Sequence, residues 1–201
     1  MENKFGFVSL SGRTNVGKST LLNAFFQKKI AITSRKPQTT RNRILGILTE
    51  EKSQIVFLDT PGVHLGYKRQ LNKVMNKIAS HCYEEVDLVL FLIDRFKWQK
   101  EEENILKSLK NLNKPVVLVI NKIDRLRDKT KLLVFIKDIS EKFNFLSIVP
   151  ISALKKDNLM ELKSIILNNL EIGSYHFPED SLTEFSDNFF ISEIIREKAI
   201  N

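Results

Sequence analysis

Two glycines, a lysine and a serine stand at a spacing suited to holding an anion: Gly12-Arg13-Thr14-Asn15-Val16-Gly17-Lys18-Ser19 fits G-x-x-x-x-G-K-[ST]. The glycines allow backbone geometry that a Cβ would obstruct. The N–H groups between them can converge on phosphate oxygens, and the dipole of a following helix favours negative charge at the same place. Lys18 is then placed to reach a β- and a γ-phosphate, and the Ser19 hydroxyl to bind Mg²⁺. The same letters could describe a glycine turn beside an exposed lysine, so the flanks decide. Phe5 to Leu10 reads as a short apolar strand, and Ser19 to Phe26 as a helix with an apolar face. Strand, loop and helix N-terminus together favour the cradle, formed by Asn15, Val16, Gly17, Lys18, Ser19 and Thr20.

Further chemistry-bearing residues recur along the chain. Asp59-Thr60-Pro61-Gly62 closes an apolar run. Asp59 there can hold a water on Mg²⁺, and the Gly62 N–H can meet a γ-phosphate. The same four residues are also ordinary turn chemistry. Asn121-Lys122-Ile123-Asp124 bears on the base. Guanine presents N1–H and N2–H₂ donors side by side, and the Asp124 carboxylate can accept both. Adenine would leave that charged acceptor unsatisfied, and sites built on such hydrogen bonds discriminate by roughly 10⁴–10⁵. Asn121 would tie this loop to the phosphate loop, and the Lys122 stem would cover a face of the base. In Ser152-Ala153-Leu154 the Ala153 N–H is placed to donate to a guanine O6. Thr39 and Thr40 lie in a polar loop, where a threonine can meet Mg²⁺ while a γ-phosphate is present. Thr40 is the favoured one of the two.

The elements that must position these residues alternate between strand and helix. Ile30 to Arg43 is polar and basic and reads as an exposed loop. Strands are expected over Ile44 to Leu48, Gln54 to Leu58, Leu88 to Ile93, Pro115 to Ile120 and Leu146 to Ile151. Helices are expected over Lys68 to Val86, Glu101 to Leu112, Leu132 to Phe143 and Leu159 to Leu170. Leu88-Val89-Leu90-Phe91-Leu92-Ile93 is an unbroken apolar run, the pattern of a parallel strand buried on both faces. The motifs thus follow successive strands, and in open α/β sheets ligands bind at that edge. Ile172 to Asp180 has no period and contains Gly and Pro, so it reads as a linker; Phe189 to Ala199 is helical again.

Composition sets the bounds. The 201 residues are 42% hydrophobic and 28% charged, enough for one sizeable domain with an appendage. No run approaches the roughly 18 apolar residues of a membrane span. Met1-Glu2-Asn3-Lys4 leads straight into a strand, so no signal-peptide core is expected. One cysteine, Cys82, allows no internal disulfide and fits a reducing compartment, where it reads as a structural thiol. His64, His81 and His176 lack metal-ligand spacing, which argues against zinc. The formal net charge of +8 suits a polyanionic partner, nucleic acid or an anionic membrane surface; general lysine richness explains it equally.

Taken together, these motifs resemble the translation-factor-class GTPases of the TrmE–Era–EngA group, and within it the Era family. The phosphate loop is similar to that family's GRPNVGKST, with Thr14 in place of proline. Lys36-Pro37-Gln38-Thr39-Thr40-Arg41 resembles its first switch and Asp59-Thr60-Pro61-Gly62 its second. His176 to Asp180 and Ser192 to Lys198 resemble the Era segment that enters a C-terminal KH domain. The resemblance implies an α/β P-loop NTPase fold: a Ras-like GTPase domain with a mostly parallel central sheet and helices on both faces. It implies a GTPase domain over 1–171, a linker over 172–188 and the first helix of a truncated KH domain over 189–201. A KH domain clamps nucleotides with a G-x-x-G loop, a spacing absent among the seven glycines.

The implied activity is hydrolysis of GTP to GDP and phosphate, with catalytic roles for Lys18, Thr40 and Gly62. Nucleotide contacts fall to residues 15–20, Asp59, Gly62, Asn121, Lys122, Asp124, Ser152, Ala153 and Leu154, and Mg²⁺ to Ser19, Thr40 and Asp59. Val63 stands where Ras-type enzymes place a water-positioning glutamine. Related GTPases with that replacement bind K⁺ through the phosphate-loop asparagine, here Asn15; alternatively Asn15 braces the loop. The implied setting is a cytoplasmic monomer acting in small ribosomal subunit assembly and 16S rRNA maturation, with peripheral contact at the inner face of the membrane. Two readings compete: another GTPase of the group, such as one modifying tRNA, and an RNA-binding module that uses nucleotide only structurally. The linker argues against the first, and turnover of GTP separates the second. A P-loop kinase or ATPase is disfavoured by Asn121 and Asp124.

Overall fold

The structure, a computed structural model, describes residues 2–27, 44–59, 86–94, 97–110, 113–126 and 128–181. In chain order the elements are β1 (Lys4–Gly12), α1 (Lys18–Phe26), β2 (Ile44–Glu50), β3 (Ser53–Asp59), β4 (Leu88–Ile93), α2 (Lys100–Lys110), β5 (Val116–Ile120), α3 (Lys129–Ser140), β6 (Ser147–Pro150), α4 (Leu159–Asn168) and β7 (Glu171–Ile172). They build one sheet in the order β2-β3-β1-β4-β5-β6, with β7 also paired to β1. β3, β1, β4, β5 and β6 run parallel to one another, while β2 and β7 are antiparallel to their neighbours.

The strands are buried because they carry apolar side chains on both faces. All six residues of β4 and all five of β5 are buried. Successive side chains point to opposite faces, so Leu88, Leu90 and Leu92 join Leu21 and Leu22 of α1 and Leu162 and Ile166 of α4 in one core. Val89, Phe91 and Ile93 join Ile105 and Leu109 of α2 and Phe135 and Ile139 of α3 in another. Each such side chain gains about 1.5–3 kcal/mol on full burial, which makes a two-sided sheet the stable arrangement for this pattern. α2 also suits its dipole, with Glu101, Glu102 and Glu103 in the first turn and Lys107 and Lys110 in the last.

Two local features differ from the sequence reading. α3 begins at Lys129, three residues before Leu132, because Asp128 caps it: the Thr130 N–H donates to Asp128 Oδ1 at 3.0 Å. The capped turn holds no apolar residue, so periodicity passes over it. The segment read as an unpatterned linker is bound to the sheet as far as Phe177. Lys4 and Phe5 pair with Ile172 and Glu171, so the expected border between 171 and 172 falls inside β7. The His176 and Phe177 N–H groups then donate to Gln54 Oε1 at 3.0 and 3.1 Å, while Gln54 Nε2 donates to Phe177 O at 2.9 Å. Gln54 is fully buried and acts on the segment as a paired strand would. The Tyr175 hydroxyl donates to Glu50 O at 2.9 Å, and the His176 ring lies 4.0 Å from that of Phe5. A two-residue strand and a side-chain clamp have no period to read.

The expected first switch with Thr39 and Thr40, the residues Thr60, Pro61, Gly62, Val63 and His64, the helix over Lys68 to Val86 with His81 and Cys82, and the helix over Phe189 to Ala199 lie outside the described residues.

Candidate nucleotide-binding site

Five parallel strands end on one edge, and that edge gathers the motifs. β1 ends at Gly12, the loop 13–17 follows, and α1 starts at Lys18. The loop needs its glycines. Gly12 has φ 149°, and a Cβ there would sit 2.5 Å from Leu92 O. Gly17 has φ 107°, and a Cβ there would sit 2.2 Å from Asn121 Nδ2. Between them Asn15 adopts the left-handed conformation, φ 61°, which asparagine tolerates better than most residues. Lys18 is buried, and its ammonium donates to Gly12 O at 3.2 Å and Arg13 O at 3.1 Å. The cation therefore lies folded along the loop that it is expected to share with phosphates. Ser19 and Thr20 are half-buried in the first turn of α1.

Asn121 joins three loops. It is 2% exposed at the end of β5. Its Nδ2 donates to Val16 O at 2.9 Å, and its Oδ1 accepts from the Lys122 N–H at 2.8 Å and the Ala153 N–H at 3.0 Å. The Ala153 N–H, expected to face a guanine O6, is thus engaged by Asn121. Lys122 takes a left-handed φ of 65°, and its ammonium donates to Asn15 O at 2.5 Å and Asp94 Oδ2 at 2.6 Å. Asp124 lies exposed in a short 3₁₀ turn, and the buried Ser152 hydroxyl donates to its Oδ1 at 2.5 Å. One oxygen is thereby held, and a carboxylate with about four acceptor sites keeps capacity for a ligand's donors. The Ser152 hydroxyl accepts in turn from the Lys155 N–H at 3.1 Å. The Leu154 side chain is exposed.

Asp59 ends β3, where it is in register with Leu10 of β1 and Ile44 of β2. That backbone position lies on the same edge, two residues along from the level of Gly12. Sequence reasoning missed a cluster beside the loop. Arg13 is nearly buried, with Nη2 on Asp94 Oδ1 at 2.8 Å, Nη1 on Glu101 Oε2 at 3.1 Å and Nε against Glu102 Oε1. The available signal was the acid Asp94 just after β4 and three consecutive glutamates in α2; nothing local pairs them with Arg13. The hydroxyl-to-carboxylate link from Ser152 to Asp124 likewise has no local signature, though both residues lie in the motifs above.

This fold and its loops are those of a P-loop GTPase domain. Residues 7–122 match the profile of the family described as 50S ribosome-binding GTPase, and the chain belongs to that family. Among curated relatives, proteins named GTPase Era from Haemophilus influenzae (strain PittGG) and Yersinia enterocolitica are 51% and 49% identical over 193 residues. Each match covers 96% of this chain and 64% of the relative, so the chain spans under two thirds of their length. Two solved Era structures superpose closely. One is a variant from Aquifex aeolicus bound to GDP·AlF₄⁻, with a TM-score of 0.91. The other is Era in complex with MgGDPNP and nucleotides 1506–1542 of 16S ribosomal RNA, with a TM-score of 0.92. Both are 44% identical to this chain, covering 98% of it and 67% of their own length.

Proposed function

We propose that this domain binds guanine nucleotide and hydrolyses GTP to GDP and phosphate, as the switch of a protein acting in small ribosomal subunit assembly and 16S rRNA maturation. The observation that carries the reading is Asn121, which holds the phosphate loop at Val16 and the Ser152-Ala153-Leu154 loop at Ala153 in one hydrogen-bonded unit. Phosphate and base subsites are then fixed relative to each other before a ligand arrives, which lowers the ordering cost of binding.

In this reading Lys18 exchanges its contacts with Gly12 O and Arg13 O for β- and γ-phosphate oxygens. Asp124 accepts the two guanine donors, held in place by Ser152. The Ala153 N–H is shared between Asn121 and the guanine O6. Ser19, Thr40 and Asp59 would hold Mg²⁺: a hydroxyl at the start of α1 and a carboxylate at the end of β3 are the hard oxygen donors this ion takes, and the register sets both on one sheet edge. When bound, the ion supplies positive charge against the phosphate oxygens. The Gly62 N–H would meet the γ-phosphate. The Val63 side chain cannot hydrogen-bond a water; Asn15, exposed in the loop with a left-handed backbone, would hold a K⁺ that supplies positive charge against the transition state. The proposed setting is a cytoplasmic monomer. The relative solved with a 16S ribosomal RNA fragment supports that RNA as a partner of the full-length protein, and the charge of +8 suits a polyanion.

Titration with GTP, GDP and ATP followed by measurement of phosphate release tests the reading. Tight guanine binding with weak ATP binding, and phosphate released from GTP, is expected. Comparable affinity for ATP would overturn the assignment of the base, and binding without turnover would leave a nucleotide-dependent scaffold.

A further inference from the structure

Asp94 has no role in the motifs read above, yet its two oxygens serve two different loops of the site. Oδ1 takes Arg13 of the phosphate loop at 2.8 Å, and Oδ2 takes Lys122 of the base loop at 2.6 Å. All three side chains are largely withdrawn from solvent, at 16%, 10% and 21% exposure for Asp94, Arg13 and Lys122. Salt screens such pairs far less than it screens surface pairs. The position is fixed by the sheet, since β4 lies between β1 and β5 and delivers the residue just past its C-terminus to the gap between their loops.

We propose that Asp94 is a positioning residue for nucleotide: it clips the phosphate loop to the base-loop lysine and so sets how long a bound guanine nucleotide resides. The inference rests on the nucleotide reading above. Lys122 donates to Asn15 O as well as to Asp94, so the clip touches the phosphate loop at both Arg13 and Asn15. The two cations differ in what else holds them. Arg13 keeps Glu101 and Glu102 on α2 if Asp94 is neutralised, and Glu102 is itself anchored by the Gln99 N–H at 3.1 Å. Lys122 has no second carboxylate among its described contacts. Loss of the Asp94 charge therefore leaves the Arg13–α2 junction paired but leaves the lysine that must lie along the base with no carboxylate, held at Asn15 O alone among its described contacts. The consequence falls on the ligand before it falls on the fold.

The test is the dissociation rate of a fluorescent N-methylanthraniloyl GDP, alongside the melting temperature without nucleotide. Asp94→Asn keeps the size of the side chain but offers one oxygen to two cations and turns an amide donor toward the other. Release about tenfold or more faster is expected, since the lysine along the base is no longer pre-ordered for the ligand. The melting temperature should move by less than about 3 °C, since the Arg13 junction stays paired. Asp94→Glu retains the charge and should recover most of the residence time. Combining Asp94→Asn with Lys122→Met should speed release little beyond the stronger single change, because both lose the same Asp94–Lys122 pair. Release from Asp94→Asn within twofold of wild type, release from Asp94→Glu as fast as from Asp94→Asn, or fully additive effects with Lys122→Met would each overturn the clip. Failure of the wild-type chain to retain the nucleotide would overturn the nucleotide reading itself, a distinguishable result.

Discussion

Replacing Asn121 by alanine removes one small side chain and strands three backbone groups: Val16 O, the Lys122 N–H and the Ala153 N–H. A buried polar group left without its partner costs about 1–3 kcal/mol. The groups belong to loops that can relax and admit water, so a total near the low end, about 3 kcal/mol, is expected. The loss divides between the empty fold and the ligand, because the same bonds hold the site open for nucleotide. A half share, about 1.5 kcal/mol, weakens GDP binding roughly tenfold. The other half lowers the melting temperature by roughly 3–6 °C for a domain of this size. Calorimetric titration with GDP and thermal unfolding of the nucleotide-free protein read the two shares separately. Gly17→Ala supplies an internal check, because its Cβ would sit 2.2 Å from Asn121 Nδ2 and displace the same amide. The two changes should act in the same direction and combine less than additively. GDP affinity within twofold of wild type together with an unchanged melting temperature in Asn121→Ala would refute the reasoning: the loops would then hold one another by other means.

The remaining predictions concern the base, the ion, the helix cap and the C-terminal segment. Asp124→Asn places a donor where one of two acceptors stood, so competition binding should show GTP weakened and XTP relatively favoured; equal loss of both would remove Asp124 from the base. Hydrolysis in K⁺ should exceed that in Na⁺ at matched ionic strength, and equal rates would assign Asn15 to bracing the loop. The Asp128 carboxyl is held below its usual value of 3.8, first by the Thr130 hydroxyl and then by the Thr130 N–H. A depressed folded value contributes stability that is complete above the unfolded pKa and fades as pH falls through the folded one. Asp128→Ala should therefore melt slightly below wild type at neutral pH, and the two curves should converge below about pH 4; a gap that is constant with pH would show that the charge is not involved. Gln54→Leu keeps the apolar volume but cannot accept from His176 and Phe177, so limited proteolysis should cut near residues 175–177 faster than in wild type, with protection unchanged as the outcome against the clamp.

Much of the site is legible locally because each part is a short run whose meaning lies in residue type and offset. The phosphate loop demands glycine where φ is positive and where a Cβ would strike Leu92 O or the Asn121 amide, and Gly12 and Gly17 stand at those places. β4 and β5 announce burial on both faces through unbroken apolar runs. The alternation of strands and helices then predicts that the motifs share one sheet edge. Tertiary structure alone decides the strand order, and with it which loops are neighbours. Arg13 and Asp94 are 81 residues apart and meet because β1 pairs directly with β4. Gln54 and Phe177 are 123 residues apart and meet because the chain returns beside the start of β1. A charge at a strand end or a buried glutamine carries no period and no spacing rule. Its partner is set by which backbones the sheet brings side by side, and local sequence holds no record of that.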